Sequence, residues 1–317
     1  MPASKKPAET AKSQEEAKVS PLPETPQDPV QFLIKTMTEG DAERDKGLRA
    51  PGNVERWTDI PYGPDHKYQS LDVYRPKELR GTLPVIISVH GGGWIYGSKE
   101  LYQYYCMSLA QHGFAVVNYS YRLAPDYQFP ACIEDENTVF QWVADHADQY
   151  GLDTDHVFAV GDSAGGNQLA LYCCMLADPS FAASFSFPMA QGFRLRAVAL
   201  NCGLYDLVSG AGASDGPIFQ ILFPNGGSPE ELYRMSPNKH VTAAFPPAFV
   251  MTAKGDFLVD QAPIMVKALQ EKLVPCVEKV YGTEETPLAH VFHCNMKLPE
   301  GAKCNDDECA FFRRFLD

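Results

Sequence analysis

The chain has little basic charge and no long apolar run. No stretch of about eighteen apolar residues is present, so no segment is expected to cross a bilayer as a helix. The N-terminus lacks the apolar core of a secretory signal, and we expect a cytoplasmic protein unless a signal has already been removed. Lys and Arg number 27 against 40 Asp and Glu, which gives a net charge of -13. Such a surface repels nucleic acid and anionic membranes, so we expect neither as a partner.

The nine cysteines match neither a disulfide framework nor a zinc pattern. Their number is odd, and five lie in segments that we expect to be buried: Cys106, Cys132, Cys173, Cys174 and Cys202. Reduced thiols fit this distribution best. A group near the C-terminus contains His293, Cys294, Cys304 and Cys309, but its spacing corresponds to no zinc motif. We therefore expect no metal and no other cofactor.

The first 28 residues differ in composition from the rest of the chain. They are rich in Lys, Glu, Ala, Pro and Ser and have almost nothing apolar to bury, so ordering them would cost entropy without return. We predict a disordered tail over residues 1–28 and one folded domain over 29–317. From Val30, the apolar residues Phe32, Leu33 and Met37 begin a pattern typical of a helix. Such a helix could cover the mouth of a functional site, and its role stays open.

The remaining sequence alternates between strand and helix patterns. Residues 54–60 and 68–74 predict antiparallel edge strands, since the second alternates polar and apolar residues. Apolar runs typical of parallel strands follow at 85–89, 114–117, 157–160, 197–200, 248–251 and 276–281. Helices are predicted between them at 98–113, 133–147, directly after 163, 261–273 and 305–315. This order predicts the α/β class, with a doubly wound, mostly parallel sheet covered by helices on both faces. The interval 206–245 breaks the alternation and predicts a small cap insertion.

The stretch from Phe158 to Asn167 reads as a strand, a tight turn and the start of a helix. It contains Gly161-Asp162-Ser163-Ala164-Gly165, which matches the G-x-S-x-G nucleophile elbow. Side chains at the two glycines would collide with neighbouring backbone in so sharp a turn. We therefore predict Ser163 as the nucleophile.

Three consecutive glycines follow the strand at 85–89, in the run His90-Gly91-Gly92-Gly93-Trp94. Glycines at a strand end expose backbone N–H groups that can approach a developing oxyanion, although a flexible turn is the simpler interpretation. Paired with the elbow, the run predicts an oxyanion hole made by Gly91, Gly92 and Ala164. We expect His90 to hold this loop, because it precedes the serine in the chain.

The acid and the base of such a site should follow Ser163, each after a later strand. Asp256 comes directly after the strand at 248–251, and Asp260 is its competitor. His290 and His293 both follow the strand at 276–281, so either is a candidate base.

Four other residues near these motifs have expected roles. Trp94 and Tyr96 either line the substrate pocket or pack in the core. Arg122 and Asp162 are expected to support the elbow and its neighbouring loop through hydrogen bonds.

Six motifs together resemble the hormone-sensitive-lipase-like group of α/β-hydrolase esterases, which includes bacterial acetyl and carboxyl esterases. They are HGGGW at 90–94, YRLAP at 121–125, FPA at 129–131, GDSAGG at 161–166, D-x-L-x-D at 256–260 and H-x-F at 290–292. The resemblance covers about residues 53–316 and implies the α/β-hydrolase fold. It also implies a triad of Ser163, Asp256 and His290. Val291 stands where the family usually has glycine.

The function that the resemblance implies is hydrolysis of small, short-acyl esters, such as acetylated sugars or aryl esters. Two alternatives stay open. An amide or formamide hydrolase would use the same triad, and a non-catalytic ligand-binding homologue would keep the fold. The sequence does not fix the oligomeric state, and a homodimer is one possibility.

Overall fold

The computed structural model describes residues 28–209 and 216–317 of the chain. The predicted tail over 1–28 lies outside the described residues except for Asp28. The carboxylate of Asp28 accepts a 3.0 Å hydrogen bond from the Val30 backbone N–H and caps the first helix.

The described residues form an eight-stranded sheet. Its strands are β1 (Val54–Pro61), β2 (Ser70–Pro76), β3 (Leu83–Val89), β4 (Ala115–Tyr119), β5 (Leu152–Asp162), β6 (Leu195–Asn201), β7 (Ala248–Ala253) and β8 (Cys276–Tyr281). The spatial order is β1-β2-β4-β3-β5-β6-β7-β8. Strand β2 runs antiparallel to β1 and β4, and the other neighbours pair in parallel. All eight predicted strands are therefore confirmed.

Helices connect these strands. They are α1 (Pro29–Asp45), α2 (Lys99–Gln111), α3 (Ala131–Asp145), α4 (Ala147–Tyr150), α5 (Ala164–Ala177), α6 (Pro179–Ala182), α7 (Gly216–Leu222), α8 (Pro229–Arg234), α9 (Gln261–Glu271) and α10 (Pro299–Arg313). Helix α10 begins earlier than the predicted residue 305, because Pro299 in its first turn suits a helix start. Within the described ranges, no helix combines the length and the apolar character needed to cross a membrane.

Both faces of the sheet are covered by helices, as predicted. On β5, Val157 and Ala159 pack in the core with α1, α3, α5 and α9. The alternate residues Phe158 and Val160 pack in a second core with α2 and α10. Because successive side chains of a strand point to opposite faces, a strand buried on both sides must be apolar throughout. The predicted α/β class, with a mostly parallel sheet covered by helices on both faces, is thereby confirmed.

The interval predicted as a cap, 206–245, contains α7, α8 and a short 3-10 turn at Pro237–Lys239. Residues 210–215 within it lie outside the described part of the chain. Helix α7 packs against α1, so the predicted insertion and the first helix meet on one side of the domain. Its role as a cap stays a prediction.

Candidate active site

Ser163 occupies the turn between β5 and α5. Its backbone has φ 52° and ψ -119°, a combination that ordinary L-residues rarely adopt. The turn is so tight that a Cβ on Gly161 would lie 2.5 Å from the carbonyl oxygen of Gly165. The Ser163 N–H donates to the Asn201 carbonyl at the end of β6 (2.9 Å), which fixes the turn to the neighbouring strand.

His290 connects this serine to a buried carboxylate. Its Nε2 lies 2.9 Å from Ser163 Oγ, and its Nδ1 lies 2.7 Å from Asp256 Oδ1. Asp256 also accepts hydrogen bonds from Thr252 Oγ1 (3.1 Å) and from the Leu258 backbone N–H (2.8 Å). Burial works against its ionisation, but the hydrogen bond and charge of His290 hold the pKa of Asp256 below its usual value. The arrangement is that of an acid, a base and a nucleophile in series.

Among the described residues, the competing candidates His293 and Asp260 do not hydrogen-bond to Ser163. His293 is fully buried, with its ring edge-on to Tyr105 at 5.1 Å between centroids. Burial lowers the pKa of His293 to about 3, so this imidazole is neutral at physiological pH. Asp260 is exposed at the start of α9 and hydrogen-bonds to neither histidine within the described ranges. Of the candidates, the structure brings Asp256 and His290 to Ser163.

The glycine loop differs from the prediction at Gly91. The Gly91 N–H donates to the phenol oxygen of Tyr102 (2.9 Å), and that phenol donates to Asp162 Oδ2 (2.7 Å). The Gly91 N–H is thus already engaged within the protein, and this contact argues against the predicted role of Gly91 as an oxyanion donor. By contrast, the N–H groups of Gly92 and Ala164 have no acceptor among the described residues.

The Gly93 N–H is also without an acceptor in the described part of the chain, and the sequence did not indicate Gly93 as an oxyanion donor. The φ of Gly93, +61°, is one that glycine adopts without strain. The loop is held from behind by His90, whose ring stacks on Tyr121 at 4.0 Å between centroids. Burial lowers the pKa of His90 to about 4, so its ring stays neutral. These contacts agree with the loop-holding role expected for His90.

A cavity of about 490 Å³ opens beside Ser163. Its walls are mostly apolar and include Leu33, Met37, Leu204, Ile218, Phe257 and Val291. Trp94 and Tyr96 also line it, the first buried and the second half-buried. Helix α1 therefore forms part of the cavity wall, as the apolar pattern after Val30 suggested. The Phe257 ring is 71% exposed at the rim and lies 4.4 Å from the His290 ring, centroid to centroid.

Comparison with known families shows the family of the chain. The BD-FAE family model matches residues 71–273, which is more than half of the chain. The chain belongs to the BD-FAE family.

Three proteins similar to this chain are esterases. This BD-FAE member is 30% identical to versiconal hemiacetal acetate esterase of Dothistroma septosporum, over 72% of each chain. It is 29% identical to carboxylesterase NlhH of Mycobacterium tuberculosis, over 67% of this chain and 66% of that protein. Its fold matches esterase B of Lactobacillus rhamnosis with a TM-score of 0.83 at 28% identity, covering 90% of this chain and 95% of that one. The BD-FAE member is thus a hormone-sensitive-lipase-like carboxylic ester hydrolase, as the sequence motifs predicted.

Asp162 and Arg122 of this BD-FAE member, both expected to support the elbow and its neighbouring loop, have different partners. Asp162 reaches the glycine loop through Tyr102, as described above. Arg122 instead binds the buried carboxylate of Asp135 on α3, at 2.7 Å from its Nη2. Arg122 therefore fixes the loop after β4 to α3, and not the elbow itself.

Two groups of side chains hold three potential metal-ligating atoms within 4.8 Å of one another. Among residues 28–209 and 216–317, these groups are Asp162, His293 and Cys294, and Cys202, Asp256 and His290. The second group contains the two residues that connect to Ser163, and neither group supplies the four ligands of a structural zinc site. All nine cysteines are free, as predicted.

Proposed function

We propose that this protein hydrolyses short-acyl carboxylic esters through an acyl-enzyme intermediate on Ser163. The observation that carries the proposal is the pair of hydrogen bonds at 2.7 and 2.9 Å from Asp256 through His290 to Ser163. A serine hydroxyl is a weak nucleophile until a base removes its proton. This series supplies the base and a carboxylate to orient it.

In the proposed reaction, Ser163 Oγ attacks the ester carbonyl while its proton passes to His290 Nε2. The tetrahedral intermediate collapses, the C–O bond to the alcohol breaks, and His290 returns the proton to the leaving oxygen. Water then attacks the acyl-enzyme with His290 as base and releases the carboxylic acid. Asp256 stays ionised throughout, which agrees with the direction of its pKa shift, and stabilises the imidazolium.

The negative charge that develops on the carbonyl oxygen in the tetrahedral intermediate must be stabilised by hydrogen-bond donors. We assign Gly92, Gly93 and Ala164 to this role, because their N–H groups have no acceptor among the described residues and flank Ser163. Ala164 is the first residue of the 14-residue helix α5, so the helix dipole adds to the favourable potential at this point.

The cavity beside Ser163 has the size of a small-molecule site. Its volume is about 490 Å³, and helices α1 and α7 contribute Leu33, Met37 and Ile218 to its apolar walls. Two similar proteins support a short-acyl substrate. The name of the Dothistroma enzyme specifies an acetate ester, and esterase B has a solved structure inhibited by a C4-C4 tributyrin phosphonate. Acetylated sugars and aryl esters fit this class.

A panel of nitrophenyl esters tests the proposal. With acetate, butyrate, octanoate and laurate as acyl groups, we expect kcat/KM to peak at acetate to butyrate. An anilide and a formamide should react far more slowly. Ser163→Ala should lower kcat by about three decades or more without unfolding the protein. A maximum at octanoate or beyond, or faster cleavage of the amides, would overturn the substrate assignment.

We also infer a cytoplasmic location. All nine cysteines are free and all but Cys276 are buried, which suits a reducing compartment. Thiol titration of the denatured protein from its native source should give nine free thiols, and a lower count would argue for an oxidising compartment.

A further inference from the structure

The face of α1 that lines the cavity changes from apolar to charged along the helix. Leu33, Met37, Asp41 and Arg44 all line the cavity, and their spacing of four, four and three residues places them on one side of the helix. The first two are apolar and the last two are charged. With a rise of about 1.5 Å per residue, Asp41 lies about 12 Å along the helix from Leu33. The cavity therefore has an apolar end and a polar end.

The carboxylate at the polar end is held in place. Asp41 Oδ1 lies 2.8 Å from Arg44 Nη1, and Asp41 Oδ2 accepts a 3.0 Å hydrogen bond from the phenol of Tyr96. Arg44 is fixed in turn by Asp45 (2.7 Å) and by the Leu101 carbonyl (2.6 Å). An acceptor fixed in this way is pre-organised for a ligand, because little side-chain entropy is lost on binding.

Asp41 still has capacity to accept hydrogen bonds. A carboxylate offers about four acceptor positions, and the contacts with Arg44 and Tyr96 use two of them. The side chain is 23% exposed, so part of it is accessible from the cavity that it lines. The adjacent guanidinium offsets only part of its charge, because Arg44 also pairs with Asp45. The group that Asp41 already binds on the cavity side is a neutral hydroxyl, the phenol of Tyr96.

We propose that Asp41 binds a hydroxyl group on the alcohol part of the ester, so that the preferred substrates are partial esters of polyols or sugars. This inference rests on the proposed function. In this arrangement the acyl chain lies toward Leu33 and Met37, and the hydroxylated alcohol lies toward Asp41 and Tyr96. Asp41 is thus a specificity residue and takes no part in the chemical step.

Two esters with the same carbon skeleton test this directly. They are propyl butyrate and 1-monobutyrin, which is 2,3-dihydroxypropyl butyrate. We expect the wild type to prefer monobutyrin by about tenfold in kcat/KM, because a bound ester without a hydroxyl covers the remaining acceptor positions of Asp41 and offers them no donor. Asp41→Leu should bring this ratio close to one. Glu39→Leu is the matched control, since Glu39 is a 69% exposed carboxylate on the same helix, and it should keep the wild-type ratio.

Each other outcome has a defined meaning. An unchanged ratio in Asp41→Leu, or an equal loss on both esters, would overturn the specificity role and leave only a structural one. If the wild type preferred butyrylcholine over monobutyrin, Asp41 would bind a cationic group instead of a hydroxyl, and the inference would be overturned. In each of these cases Ser163-dependent ester hydrolysis persists. Failure of the proposed function would instead appear as no Ser163-dependent hydrolysis of either ester.

Discussion

The phenol of Tyr102 donates a 2.7 Å hydrogen bond to Asp162, the residue directly before the proposed nucleophile. The same oxygen accepts the Gly91 N–H at 2.9 Å, so one buried hydroxyl connects α2, the elbow and the glycine loop. Burial raises the pKa of Asp162 to about 6, and the Tyr102 hydrogen bond opposes that rise. The glycine loop is therefore positioned by a side chain that need not touch the substrate.

Tyr102→Phe tests this positioning role. Removal of the hydroxyl leaves the Gly91 N–H without its acceptor, so the loop should shift relative to Ser163. We expect kcat to fall by about tenfold or more with KM nearly unchanged, because oxyanion contacts form mainly in the transition state. Tyr105→Phe is the control, since Tyr105 lies on the same helix and its phenol binds Glu308 (2.9 Å). Equal losses of kcat in both variants would contradict the role.

The two histidines should behave differently when replaced. His290→Ala should reduce kcat by about three decades or more, because it removes the base beside Ser163. His293→Ala should affect mainly stability, since a fully buried ring is lost from the core near Tyr105. Turnover measured well below the unfolding temperature separates the two effects. A greater loss of turnover in the His293 variant would transfer the base to that residue.

The contribution of Glu308 to the free energy of unfolding should fall as the pH rises from about 5 to about 8. Glu308 is buried, and burial raises its pKa from 4.5 to about 7, against hydrogen bonds from Asn201 and Tyr105. The folded protein therefore favours the protonated form, and this stabilisation is lost as the pH rises through about 7. Asp162, with its pKa raised to about 6, acts in the same direction, whereas buried His90 and His293, with their lowered pKa values, act in the opposite direction below about pH 6.5.

The free energy of unfolding of the wild type minus that of Glu308→Gln should therefore fall as the pH rises through about 7, because the other titrating groups are common to both proteins. Urea unfolding at several pH values in this range gives this difference. A difference that stays constant over the range, or that grows toward pH 8, would contradict this assignment.

Much of the site follows from the sequence because its parts lie at the ends of successive parallel strands. Chain order then determines which loops meet, so Ser163 and the two pairs of candidates, Asp256 or Asp260 and His290 or His293, could be named without coordinates; the family resemblance selected Asp256 and His290. The fold was predictable for the same reason, since alternating strands and helices leave few topologies.

Three features depend on packing that the sequence does not display. The direction of the Gly91 N–H is set by Tyr102, which reaches it from α2. The choice between His290 and His293 is made by a turn in which Val291 has φ 51°, a backbone state that β-branched residues rarely adopt. The cavity-facing position of Asp41 follows from how α1 packs on the domain. A helix pattern predicts the helix but not the position in which it docks.

The most direct test of the proposed mechanism is to trap the intermediate. The protein would be titrated with a butyl phosphonate ester, and the modified peptide would be located by mass spectrometry. We predict one adduct per chain on Ser163, with activity lost in proportion to labelling, and no adduct on Ser163→Ala. Inactivation with the label on another residue, or continued ester hydrolysis with Ser163 fully labelled, would contradict the acyl-enzyme mechanism.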